Sequence, residues 1–124
     1  MQFRKKYIYV FVVLSIVVAM IASGFTTAQE EDVFKLGILG PFSGPSARTG
    51  DEFKQSATMA LEAVDYKVGP YTIEPVWIDS QSDPAKASQA YEQAVVQDGI
   101  QAGVLNWHSS VAVAAMEVTA KHQV

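Results

Sequence analysis

From Phe34 onward the hydrophobic and polar positions alternate between two periods, and each change of period marks an element. Phe34–Leu39 is mostly apolar on both sides of the chain, which predicts a parallel strand covered on both faces. Gly40–Gly50 follows, a loop with three Gly and two Pro. Phe53, Ala57, Ala60, Leu61 and Val64 then share one helical face, predicting a helix over about 51–67. Asp51 and Glu52 suit the positive end of its dipole, Lys67 the negative end, and Gly69-Pro70 stops it. Tyr71–Asp79 reads as a second strand. Its Pro75 has no N–H and belongs at a sheet edge or bulge. Asp83-Pro84 is an N-cap followed by an N1 proline, opening a helix to about Gln97. That helix turns Ala87, Ala90, Tyr91, Ala94 and Val95 inward. Ala102–Asn106 predicts a third strand. A third helix, capped by Ser109 or Ser110, buries Val111, Ala114, Ala115 and Val118 and ends near Lys121. Val124 is expected to open a fourth strand.

The order is β-α-β-α-β-α, with helices long enough to cross between neighbouring parallel strands. The expected fold class is α/β, a parallel sheet with helices on both faces, incomplete. A sheet half with an unpaired edge is a poor domain boundary, so a partial sequence is expected.

The first residues do not fit this pattern. Arg4, Lys5 and Lys6 precede an apolar run from Tyr7 to Ile21, and a small, polar segment reaches Ala28. This is the build of a secretory signal peptide over residues 1–28, with Thr26 and Ala28 at the −3 and −1 positions. The run of about 15 residues is short of the roughly 20 that span a bilayer; the competing reading is an uncleaved anchor. A leader at 29–33 and a folded part at 34–124 complete the expected organisation.

Cleavage after Ala28 removes three of the nine basic residues and none of the 13 acidic ones, moving the net charge from −4 to −7. An acidic chain without a basic patch argues against nucleic acid as a partner. There is no Cys. A lipid-attachment cysteine, a disulfide and a cysteine zinc site are therefore excluded, and the fold rests on packing alone.

In open parallel sheets ligands bind outside the carboxyl ends of the strands. The loops Gly40–Gly50 and Asn106–Ser110 both leave that side and run into helix N-termini, which favour anions. Ser109 and Ser110 offer hydroxyl and backbone donors for a carboxylate, although one of them alone as a cap is the simpler role. Trp107 either stacks on a ligand or packs at the strand end. His108 reads as a polar lining residue rather than a catalytic base, since no nucleophile elbow accompanies it. In the first loop Ser43 and Ser46 suit turn chemistry. Arg48 is either a ligand contact or a solvated charge, and Thr49 either lines the cleft or caps the helix. Asp79 and Asp83 read as turn and cap residues. Neither a dinucleotide fingerprint nor a P-loop is present, and no metal or other cofactor is expected.

The segments L-G-I-L-G-P-F-S-G-P-S-A-R-T-G, W-I-D-S-Q-S-D-P-A-K-A and G-V-L-N-W-H-S-S-V-A-V-A-A, in that order, resemble the N-terminal lobe of type I periplasmic binding proteins of the leucine/isoleucine/valine-binding type. The resemblance covers about residues 34–124. It implies a non-enzymatic, extracytoplasmic receptor of two hinged lobes that closes on an amino acid or other carboxylate and delivers it to an ABC permease. It also implies that Ser109, with Ser110 beside it, grips the carboxylate. Thr49 stands where the family often has a large residue on the ligand side chain. His108 replaces a cysteine of the leucine-binding type. Urea, amides and aromatic acids are alternative ligands. A sensor built on the same lobe is the rival to a transport receptor, and a flavodoxin-like enzyme is the rival outside binding.

Overall fold

A computed structural model describes residues 32–124; the expected signal peptide and residues 29–31 of the leader lie outside them. Four strands and three helices follow in order: β1 (Asp32–Gly40), α1 (Ala47–Glu62), β2 (Lys67–Val68), β3 (Tyr71–Asp79), α2 (Pro84–Gln93), β4 (Ala102–Leu105) and α3 (Ser109–His122). The sheet order is β2-β3-β1-β4. β1 runs parallel to β3 and β4, while β2 is antiparallel to β3. The chain thus steps from β1 to β3 on one side and then back across β1 to β4. Two crossovers of the same hand moving in opposite directions place their helices on opposite faces of the sheet.

One face carries the main core. Leu39 and Ile78 pack there against Ala87, Tyr91 and Ala94, Ile100, and Val111, Ala115 and Val118 of α3. Each large apolar side chain buried in this way contributes about 1.5–3 kcal/mol. The alanines let α2 and α3 lie close to each other and to the sheet. Gly103 is required under Tyr91, because a Cβ there would stand 2.1 Å from the phenol oxygen. Burial pushes the Tyr91 phenol above its ordinary pKa. On the other face Gly40 lies beneath Phe42 and Phe53, and the Phe42 and Trp77 rings meet edge to face at 5.7 Å.

Several element bounds depart from expectation. β1 begins at Asp32, paired with Tyr71, so the ladder takes in Asp32 and Val33, both expected in the leader. α1 begins at Ala47 rather than Asp51. The left-handed Gly44 (φ 83°) and an Ala47 N–H bond to the Gly44 carbonyl at 3.2 Å turn the chain into the helix early. Asp51 and Glu52 therefore lie beyond its first turn. The helix stops at Glu62, where Tyr66 N–H returns to the Leu61 carbonyl at 2.9 Å and Asp65 and Tyr66 are left-handed. Lys67 then enters β2, and Gly69-Pro70 is the turn of a β2–β3 hairpin, not a helix stop. Of the predicted α1 face, Leu61 is buried, Phe53 and Ala57 are half-buried, and Ala60 and Val64 are exposed.

Pro75 pairs opposite Leu36 of β1, while β2 reaches only Tyr71 and Thr72. Pro75 thus lies where β3 is the outer strand, and its missing N–H costs no ladder bond on the open side. Asp83 caps α2 by accepting from Lys86 N–H at 2.9 Å. A π turn at Ala94–Asp98 and left-handed Gly99 end it. His108, not a serine, is the N-cap residue of α3. The Val124 N–H returns to the Thr119 carbonyl at 3.3 Å, and its side chain packs against the core.

Candidate functional site

β1 and β4 are hydrogen-bonded neighbours whose connections depart in opposite directions, and such a switch point opens a crevice at the carboxyl ends of the strands. The two loops singled out by sequence leave this point side by side. Pro41–Ser46 follows β1 and Asn106–His108 follows β4, joined by an Asn106 N–H bond to the Leu39 carbonyl at 3.3 Å. Each feeds a helix, α1 or α3, whose first N–H groups have no intrahelical acceptor.

At the β4–α3 loop the helix end is open. His108 has extended backbone and makes no side-chain capping bond. Ser109 and Ser110 are the first two residues of α3, and both are exposed. They therefore present hydroxyls and backbone donors together at the positive end of a 14-residue helix, an arrangement that suits a carboxylate. Trp107 is 66% exposed among the described residues. Its ring stands edge-on to His108 at 4.2 Å. His108 itself is half-buried.

At the β1–α1 loop, Thr49 lies half-buried in the first turn of α1. Arg48 points to solvent and pairs with Glu52 at 3.5 Å. Ser46 occupies the N-cap position without a side-chain capping bond. Ser43 is committed elsewhere: its hydroxyl and N–H donate to the two oxygens of Asp79 at 2.6 and 3.0 Å. Burial works against a charge on Asp79. The Ser43 hydroxyl and the N–H groups of Gln81, Ser43 and Phe42 outweigh it and hold the carboxyl below its ordinary pKa.

Thr49 and Arg48 are thus brought to one wall of the crevice, and Trp107, His108, Ser109 and Ser110 to the other. Asp79 is on the far side of β1 from β4 and touches only the first wall. Two further residues escape sequence reasoning. The Asn106 Oδ1 is buried without a hydrogen-bond partner, and Ser82 bonds across to the first loop. Their only signal is position: Asn106 directly follows β4, and Ser82 lies in the polar loop after β3. Among the described residues no group of three or more His, Cys, Asp or Glu could hold a metal ion, and no helix is long and apolar enough to cross a membrane.

The periplasmic binding protein family profile matches residues 33–124. The chain belongs to that family. Curated relatives that it resembles are named as leucine/isoleucine/valine-binding proteins. A Leu/Ile/Val-binding protein homolog of Brucella abortus is 40% identical over 76 residues, covering 60% of this chain and 20% of the relative. The leucine-, isoleucine-, valine-, threonine- and alanine-binding protein of Pseudomonas aeruginosa is 34% identical over 85 residues, covering 66% and 22%. Among solved structures, the branched-chain amino acid transporter substrate-binding protein of Streptococcus pneumoniae, in complex with isoleucine, superposes with a TM-score of 0.70 at 25% identity, covering 75% of this chain and 27% of that one. A solute-binding protein of Rhodopseudomonas palustris in complex with 4-hydroxybenzoate gives 0.69 at 26%, covering 75% and 26%. This periplasmic binding protein chain therefore spans about a fifth to a quarter of the length of these relatives. The fold matches the expected α/β class, with the antiparallel β2 added at one edge.

Proposed function

We propose that these residues form the opening part of the N-terminal lobe of an extracytoplasmic substrate-binding component of an ABC importer. Its ligand is a small carboxylate, a branched-chain or related amino acid. One observation carries the reading: the uncapped N-terminus of α3, with Ser109 and Ser110 exposed on it, opens at the switch point of a sheet from a solute-binding family. The carboxylate accepts hydrogen bonds from these serines and the first N–H groups of α3, while Thr49 and His108 line the same crevice. Arg48 stands at its rim. The role is binding and delivery to a membrane permease, without catalysis. Residues 1–28 direct export and are removed in the course of it, and mass spectrometry of the exported protein is expected to find Gln29 first.

The test is isothermal titration of the full-length protein with leucine, isoleucine, valine, threonine and alanine, and with benzoate, 4-hydroxybenzoate, urea and acetamide. At least one carboxylate binds, and the Ser109→Ala/Ser110→Ala double variant binds it at least about tenfold more weakly, a loss of about 1.4 kcal/mol. Silence across the carboxylates, or undiminished affinity in the double variant, overturns the reading. The exposed Trp107 favours an aromatic acid as the second ligand class, since an indole face stacks on a planar ring. Preference for benzoates over leucine, lost in Trp107→Ala, selects that class.

A further inference from the structure

The first loop is bonded to the end of β3 and to the loop that follows it. The Asp79 carboxylate holds Ser43 through both oxygens, and the same Oδ1 accepts from Gln81 N–H at 2.9 Å. Ser82 donates its hydroxyl to the Ser43 carbonyl at 3.3 Å and accepts from Ser46 N–H at 3.1 Å. The backbones also touch, because a Cβ on Gly44 would stand 2.5 Å from the Gln81 carbonyl oxygen. Gln81 and Ser82 are both left-handed, with φ of 51° and 59°, a conformation uncommon for such residues. The loop after β3 therefore holds a constrained shape whose contacts run to the first wall of the crevice.

We propose that Asp79 is the positioning residue of the β1–α1 wall: it touches no ligand but fixes Ser43–Ser46, and through them the first turn of α1 carrying Thr49, in the geometry that the ligand meets. This rests on the crevice being the ligand site. A carboxylate is suited to the task because it accepts from three donors at once, and charge-assisted hydrogen bonds are stronger than neutral ones. A wall fixed before binding leaves less ordering to be done when the ligand arrives.

Two measurements on the full-length protein test this. Amide hydrogen exchange without ligand reads the latch alone. Exchange at Ser43, Ser46 and Gln81 rises at least about tenfold in Asp79→Ala, a local opening made easier by at least about 1.4 kcal/mol. Titration with whichever carboxylate the wild type binds reads positioning. Asp79→Ala weakens binding at least about tenfold, whereas Asp79→Asn, which keeps an acceptor for the two N–H groups, recovers most of it. Unchanged exchange in Asp79→Ala overturns the latch. Raised exchange with unchanged affinity, or equal losses in the Ala and Asn variants, overturns the positioning role. If no carboxylate binds the wild type, it is the ligand reading that fails, and positioning fails with it, while the exchange result still decides the latch.

Discussion

The two walls of the crevice start from equivalent places, the carboxyl ends of adjacent parallel strands, and end in opposite states. The β1–α1 wall is satisfied from within: Ser43 and Ser46 are bonded to Asp79 and Ser82. The β4–α3 wall is left open. Neither helix has a side-chain cap, but here the serines and Trp107 face solvent and Asn106 Oδ1 has no partner. A buried acceptor without a donor costs about 1–3 kcal/mol. The first wall is thus built for shape and the second for unspent hydrogen-bonding capacity. A serine at a strand end is informative only once its partners are known.

The comparison breaks most severely at Gly50. A Cβ there would stand 2.1 Å from the Pro41 carbonyl oxygen, a backbone atom that cannot yield without moving the loop. Gly50→Ala is expected to destabilise the fold by about 3 kcal/mol, seen as a lower urea midpoint. An undisturbed midpoint would show that the first wall is not rigid.

Acid is expected to act next. The Asp79 pKa is lowered in the fold from its ordinary 3.8. Its bonds therefore contribute fully above that value and are lost as pH falls through the folded pKa. Replacing this acceptor costs about 2 kcal/mol near neutrality. The stability difference between wild type and Asp79→Ala shrinks below about pH 4. A difference constant with pH would mean the carboxylate charge contributes nothing.

A smaller change should invert the second wall. His108→Asp supplies the missing cap, and it is expected to add about 1 kcal/mol of stability while lowering affinity for a carboxylate ligand. A gain in both quantities would sink the anion reading of α3. The smallest effect belongs to Arg48, whose side chain is 94% exposed. Arg48→Ala is expected to change stability by less than about 0.5 kcal/mol, measurable in a denaturant series, and a larger loss would give the pair a structural role.

Much of this was legible beforehand. The inward faces of α2 and α3 read correctly because Ala87, Tyr91, Ala94, Val111, Ala115 and Val118 repeat at helical spacing, and packing kept that pattern. The start of α2 read correctly because Asp83-Pro84 acts within one turn. The start and end of α1 did not. Ala47–Thr49 and Asp65–Lys67 carry no periodic signal, and contacts with distant residues set both ends. The Gly40–Gly50 and Asn106–Ser110 loops were found from the strand-to-helix order. Which of their serines are free was invisible, because Ser43 and Asp79 are 36 residues apart.

The strand-helix alternation, the family through its three ordered segments, and the end of the sheet that carries the proposed site were all readable from the amino-acid order. These depend on local periodicity and chain order. Only the tertiary structure decided that Asp79 and Ser82 close the first wall while the second stays open. A hydrogen bond between two loops depends on where the sheet brings their ends, and the β2-β3-β1-β4 order sets β3 beside the first wall, 36 residues away from it along the chain.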